Sequence, residues 1–378
     1  YTDGSNYQSQ DGTYRQIWQN DFNNLNWFVQ GGETVYFAVD GIEQDTPQGG
    51  SYLWFNHASN KDLSGSKQDG SDDKYYTWEK DALDVAVACD SNGAINGCNG
   101  GWDKSSDINV QVWAEALPSP ETIYVNADWA STTALTDPDE DGPATLMGYD
   151  AFATIQDAID AANDGVTIDV AAGTYVEDFT IDKALTLQGP NAAINPNTGT
   201  RVTEAILIPE NPNPNPENCS ILANVKVSDV TIKGLTFDGD NPNISGGDAI
   251  GGADVNACEL IAGYEGVENI IIENNILKHA TLAGVDFDNH TNPAATAGNY
   301  IRYNQFEDIG GKDYGYGIGV VVYYNFYADV NDNVFYRVRN GIQTGGYDRA
   351  NPGTTGSIRG NTINAWRRGI FHNSWYAG

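Results

Sequence analysis

The chain has 378 residues, 52 Asp and Glu against 19 Lys and Arg, and a formal charge of −33. That is length for two cored domains, and a surface that repels polyanions, so nucleic acid is excluded as an expected partner. No run of about 18 apolar residues is present to span a membrane, and four Cys with a single Met fit an extracellular or cell-surface protein.

Residues 1–117 read as an antiparallel β-sandwich. Alternating segments at Thr34–Val39, Ser51–Phe55, Leu83–Ala88 and Ile108–Trp113 are separated by Gly, Asn and Asp clusters. Six of the nine Trp lie here, and they serve either as core or as rings exposed for sugar stacking in a carbohydrate-binding or assembly module. Cys89 and Cys98 flank a turn-rich stretch and suit a local bridge, which leaves Cys219 and Cys258 to pair across a longer span.

Residues 118–149 read as a linker that opens with Pro118-Ser-Pro120 and carries an acidic loop. In Asp137-Pro-Asp-Glu-Asp-Gly142, alternate carboxylates precede a glycine, as in the first half of a calcium loop. Asp137, Asp139 and Asp141 are therefore candidate Ca2+ ligands, with Asp150 or a carbonyl completing the set, because Gly148 stands where a bidentate Glu is needed.

A helix is predicted over Thr154–Ala162, with Thr154 as N-cap and Asp164-Gly165 as stop. Ile155, Ala158, Ile159 and Ala162 make an apolar stripe, suited to cover the end of a sheet stack. Short strand-like pieces follow at Val166–Val170, Phe179–Ile181 and Leu185–Leu187, before a proline-rich insertion within 190–220.

From residue 232 a six-residue phrase recurs five times: Ile232–Phe237, Ile272–Leu277, Ile301–Phe306, Val330–Phe335 and Ile358–Ile363. Its fourth position is Asn275, Asn304, Asn333 and Asn361 in the last four copies, at steps of 29, 29 and 28 residues. A period of that size marks stacked repeats. Positions one and six are apolar and fall to the core, while position two (Lys233, Glu273, Arg302, Asn331, Arg359) forms an outer column about 4.8 Å per step. The recurrent Asn is expected to bond to its copies above and below. Each phrase is followed by Gly and a β-branched residue, at Gly284-Val285, Gly317-Ile318, Gly341-Ile342 and Gly369-Ile370, so a repeat holds a second strand.

These phrases resemble the rungs of the right-handed parallel β-helix of the pectate-lyase-like superfamily over residues 150–378, and Ala172-Gly-Thr-Tyr175 with the preceding helix resembles the N-terminal cap of its extracellular surface members. The fold expected is all-β: a sandwich followed by a capped β-helix. The resemblance implies an outer groove in which an enzyme would hold calcium by carboxylates and use Arg, Lys or His as base. The superfamily's hydrolase signatures are missing, and the only Asp-Asp pair is Asp72-Asp73.

Two constellations are candidates for chemistry. Asp286, Asp288 and His290 on one rung, with Arg337 and Arg339 further on, are the catalytic candidates of a polysaccharide lyase. Tyr323, Tyr324, Tyr327, Tyr347, Arg349, Trp366, Arg367 and Arg368 on successive turns suit an acidic glycan or a protein interface. The reading adopted is an extracellular acidic building block of a filament, surface layer or adhesin that can bind glycan; the alternative is a calcium-dependent polysaccharide lyase. The final rung, with Ile358, Ile363, Ile370 and Trp375, is expected to self-associate or continue into further chain.

Overall fold

The computed structural model describes residues 117–212, 220–264, 266–289, 296–311, 316–324, 326–346 and 356–372 with their side chains. It also describes the backbone of residues 373–374 and of six strands before residue 109. The chain divides into two units, Tyr1–Leu117 and Pro118–Gly378.

In the first unit the strands form three antiparallel pairs: Thr2–Gln8 with Tyr14–Trp18, Ala58–Asn60 with Ser106–Ile108, and Lys74–Thr77 with Val87–Asp90. The expected sandwich packing, Cys98 and the segments 34–39 and 51–55 lie outside the described residues.

The second unit is a right-handed parallel β-helix of three faces. Face A stacks Thr122–Val125, Thr167–Val170, Thr186–Gln188, Thr231–Lys233, Ile271–Glu273, Asn299–Arg302, Ala328–Asn331 and Ile358–Arg359 in parallel register. Face B stacks Gly173–Val176, Ala205–Ile208, Thr236–Asp238, Ile276–Ala280 and Gln305–Ile309. Face C stacks Phe179–Ile181, Ile221–Val225, Glu259–Gly263, Ala283–Asn289 and Ile318–Tyr324. In the last two turns one strand runs through the B–C corner unbroken: Val334–Gly346 and then Thr362–Ser374. The stack begins before the phrases, because Thr122–Val125 pairs residue for residue with Thr167–Val170.

Phrase positions behave as their polarity requires. Ile232, Ile272, Ile301, Val330 and Ile358 are in register on face A, and Phe237, Leu277, Phe306, Phe335 and Ile363 on face B. Phe306 and Phe335 stack with ring centroids 4.6 Å apart, and Phe287 and Phe326 at 4.8 Å. In-register pairing of Phe306 with Phe335 brings like rings into contact, which adds to their area burial. On the outside, Arg302 Nε donates to Glu273 Oε2 at 2.8 Å, the ion pair expected of the second position.

The A–B corner explains the third and fourth positions together. Gly234, Asn274, Tyr303, Asp332 and Gly360 all adopt left-handed backbone, with φ between 56° and 72°. That turn aims the next side chain inward along the stack, where Asn275, Asn304 and Asn333 are fully buried. Each buried Asn donates from Nδ2 to a face A carbonyl of the preceding turn (Ile232, Ile272 and Ile301) at 2.8–2.9 Å, so the bend is tied in every turn. Residues from the 190–204 insertion latch onto this corner, with Arg201 Nη1 donating to the Asn274 carbonyl at 2.7 Å.

One register expectation is corrected. The glycine column of face C is Gly284, Gly319, Gly341 and Gly369, so the third copy is Gly319-Val320 and not Gly317-Ile318. The reason is the Phe ladder: a Cβ on Gly284 would lie 2.8 Å from Phe306 Cδ1, and one on Gly319 2.4 Å from Phe335 Cδ1.

The helix is Ile155–Ala161, capped by Thr154, whose Oγ1 accepts from Asp157 N at 3.2 Å. A second cap comes from far along the chain, as Glu177 accepts from Ile155 N and Gln156 N at 2.9 and 3.0 Å. Ile155, Ala158 and Ile159 enter the same core as Ile123, Ile168 and Ile181, which gives the first turns an apolar cover. Tyr175 lies in that core too, its hydroxyl donating to the carbonyls of Val125 and Ala171.

Candidate functional site

Beyond the sixth phrase position the strands of face B run on for two residues and build two columns at the corner with face C. The first holds Asp238, Lys278, Glu307 and Tyr336. The second holds Gly239, His279, Asp308 and Arg337, and its three side-chain-bearing members are left-handed, at φ 60°, 50° and 51°. Non-glycine residues held in that region are strained, and such strain gathers where a side chain must be aimed for function.

The aim is specific at His279. Its Nδ1 lies 2.6 Å from Asp238 Oδ1, and Lys278 Nζ lies 2.8 Å from Oδ2 of the same carboxylate. Burial pushes the Asp238 carboxyl up, but the hydrogen bonds from His279 and Lys278 outweigh it and hold the group below its ordinary value. Asp238 thus stays ionised, fixes the imidazole through Nδ1 and leaves Nε2 for another partner. Asp240 is raised instead, by burial first and then by the charge of Asp238. One turn on, Arg337 Nε donates to Asp308 Oδ1 at 2.7 Å and Nη2 to Glu307 Oε1 at 2.6 Å, while its guanidinium lies 4.3 Å from the Tyr336 ring centroid.

A hairpin stands beside these columns. Asp248–Ile250 pairs antiparallel with Ala253–Val255 through Gly251-Gly252, both at positive φ, as a two-residue hairpin turn requires. Its turn lies against Asp308, since a Cβ on Gly251 would come 2.4 Å from Asp308 Cγ. A Cβ on Gly310 would lie 3.0 Å from Trp366 Cη2 and 3.4 Å from Ile250 Cγ2, so the bare Gly310 is the floor on which the indole rests.

A second acidic group lies on the outside of face C. Tyr264 Oη donates to Glu259 Oε2 at 2.7 Å, and Glu259 hydrogen-bonds Asp286. Burial, then the Glu259 and Asp288 charges, push Asp286 well above the usual carboxylate range; burial raises Glu259 too. The pair therefore shares a proton, as adjacent carboxyls do when both cannot ionise.

The catalytic candidates from the sequence are dispersed. Asp286 points outward from face C but is buried, with Asp288 two residues on, and His290 lies outside the described residues. Arg337 is at the B–C corner in ion pairs, and Arg339 Nη1 donates to the Gly311 carbonyl at 2.6 Å. The aromatic stripe is spread likewise: Tyr323 faces out of face C, Tyr324 is buried, Tyr327 is exposed where face A begins, and Trp366 is exposed at the B–C corner. Arg367 and Arg368 are exposed beyond it, Arg368 lying over the Phe371 ring, and Tyr347 and Arg349 lie outside the described residues.

In the acidic loop, Asp137 Oδ1 accepts from the N–H groups of Asp139 and Glu140, and Asp139 Oδ2 from Ala144 N. Asp150 is engaged by Thr145 and Leu146. Among the described residues no three His, Cys, Asp or Glu converge to hold a metal ion. Cys258 is disulfide-bonded; the side chains of Cys89, Cys98 and Cys219 lie outside the described residues.

Asp238, Lys278, His279, Glu259 and Tyr264 were absent from the sequence candidates. For the first three the signal was the repeat itself: extending the six-residue alignment by two positions lines up Asp238, Lys278, Glu307 and Tyr336, then His279, Asp308 and Arg337.

No protein-family model matches the chain, and no curated protein does. Solved structures that it resembles include a pectin methylesterase in complex with a hexasaccharide, at 15% identity over 60% of this chain and 56% of that one, TM-score 0.32. Others are the pectin methylesterase of Aspergillus niger (16%, covering 69% and 78%, TM-score 0.33) and the PL6 family alginate lyase AlyGC (14%, covering 72% and 43%, TM-score 0.30). The chain thus spans about half the length of two of these three. At such scores the likeness says nothing about activity.

Among the described residues no helix is long and apolar enough to cross a membrane.

Proposed function

We propose that the chain acts on an extracellular polysaccharide by acid–base chemistry at the B–C corner. The observation that carries this is the His279–Asp238–Lys278 arrangement, in which one ionised carboxylate orients an imidazole and anchors an ammonium beside it. A base whose second nitrogen is held by a carboxylate is the geometry general base catalysis needs. His279 takes the proton from substrate or water, Asp238 keeps the imidazole in one tautomer, and Lys278 holds the Asp238 carboxylate in place. A location outside the cell is supported by the Cys258 disulfide.

The test is a panel of polysaccharides assayed for new reducing ends and for unsaturated products, with wild type, His279→Ala and Asp238→Asn compared. Product from wild type that drops at least about 100-fold in His279→Ala supports the reading. No product on any polymer, or product indifferent to His279, sinks it.

The second reading, a filament, surface-layer or adhesin building block, is favoured by the last turn, where Trp366 and Ile370 are 60% and 54% exposed. It calls for mass in solution that rises with concentration. Calcium held by Asp137, Asp139 and Asp141 is a separate proposal, resting on Asp139 Oδ1, buried and without a hydrogen-bond partner.

A further inference from the structure

The chemistry at His279 leaves open which polysaccharide lies along the corner, and the charges beside it decide the class. The two fixed cations of the columns are already committed: Lys278 to Asp238, and Arg337 to Glu307 and Asp308. Asp240 and, on the hairpin, Asp254 add further carboxylates without adding a cation. The Asp240 carboxyl is raised by burial first and then by the charge of Asp238, with Asp254 adding to it, while His279 and Lys278 oppose the rise. Another carboxylate brought to this strip meets the same repulsion, against the background of a chain that carries −33 overall.

What the strip offers instead is aromatic surface. Tyr336 is 44% exposed, with its ring already flanked by Arg337, and Trp366 lies on the Gly310 floor with Ile250 of the hairpin beside it. Neither ring needs to move to take a sugar face, so little ordering entropy opposes the contact. The Trp366 indole reaches back along the stack to Gly310, whose N–H bonds the carbonyl of Ala280 beside His279, so the indole and the imidazole lie on neighbouring turns of the corner. Arg367 and Arg368 follow Trp366, but Arg368 is turned onto Phe371 of face C.

We infer that the corner binds an uncharged linear polysaccharide laid along the stack, with Trp366 and Tyr336 as its ring platforms, and that it discriminates against polyuronates. This deepens the function proposed above and rests on it for the location of the site.

The experiment is affinity electrophoresis of wild type, His279→Ala and Trp366→Ala at low and high salt. The gels contain neutral polymers (hydroxyethyl cellulose, galactomannan, arabinoxylan, dextran) or acidic ones (carboxymethyl cellulose, polygalacturonate, alginate). Hydroxyethyl and carboxymethyl cellulose share one backbone and isolate the charge. The result expected is retardation of wild type and His279→Ala by at least one neutral polymer, little changed by salt, and about three- to tenfold weaker in Trp366→Ala, the worth of one aromatic contact. Because Trp366 is exposed, its replacement leaves the fold intact, which circular dichroism checks. Retardation by acidic polymers alone, by no polymer, or equally in Trp366→Ala overturns the inference. The two readings fail separately. Binding of a neutral glycan without any product sinks only the acid–base chemistry, and His279-dependent product from a polyuronate sinks only the neutral specificity.

Discussion

Asn304 Oδ1 accepts from two donors of Asn275, its backbone N at 3.0 Å and its Nδ2 at 3.2 Å. The same pair of hydrogen bonds links Asn304 to Asn333 and Asn333 to Asn361. Asn333→Ala removes the acceptor of two buried donors on Asn304 and should cost about 1–3 kcal/mol in urea unfolding. Asn361→Ala should cost less, because that residue is only half-buried. Equal and negligible effects at both positions would mean the ladder contributes nothing.

The glycine column supplies its own control. Gly319→Ala places a methyl 2.4 Å from Phe335 Cδ1 and should destabilise by about 1–3 kcal/mol through overpacking. Gly369→Ala, in the same column with nothing within 4 Å of its Cβ, should fall within about 0.5 kcal/mol of wild type. Melting of the two variants side by side decides it, and a reversed order would refute the packing account.

Asp178 makes stability depend on pH. Burial, then the charge of Glu210, lifts its carboxyl from 3.8 to about 6, and its Oδ1 is buried without a partner. A group raised on folding favours the native state while protonated in both states, and that advantage disappears as pH rises through the folded value. Asp178→Asn should therefore match wild type below pH 3.8 and gain in melting temperature across the window up to about 6, with the gain persisting above it. A difference that stays constant with pH would show that the side chain's charge is irrelevant.

Chelation tests the acidic loop. If Asp137, Asp139 and Asp141 take up calcium, the metal-loaded protein melts higher than the chelated one, and Asp139→Ala abolishes the difference. Identical melts with and without chelator would leave the carboxylates as the turn-forming acceptors they are here.

The β-helix was legible because its cause is periodic. Alternation fixes which of Ile272, Glu273 and Leu277 turn inward, and a buried Asn recurring every 29 residues has few other uses. The exact register of Gly319 was not legible, because it answers to Phe335 on a different face, a contact between segments that no local pattern encodes. The site was hidden for a related reason. Asp238 and His279 are 41 residues apart and meet only because Gly239 and His279 share a column, and the long excursion between them breaks the period just there. Glu259 meets Asp286 in the same way, across neighbouring strands of face C.

The Asn corner has a consequence for how such a molecule can change in length. Every bond of the ladder joins one turn to the next, so inserting or deleting a whole turn restores the same set of partners. Loops within a turn absorb changes of length, since the same pair of bonds spans 29 residues from Asn304 to Asn333 and 28 from Asn333 to Asn361, and a site written on the corner moves along the axis only by whole turns, in increments of about 4.8 Å.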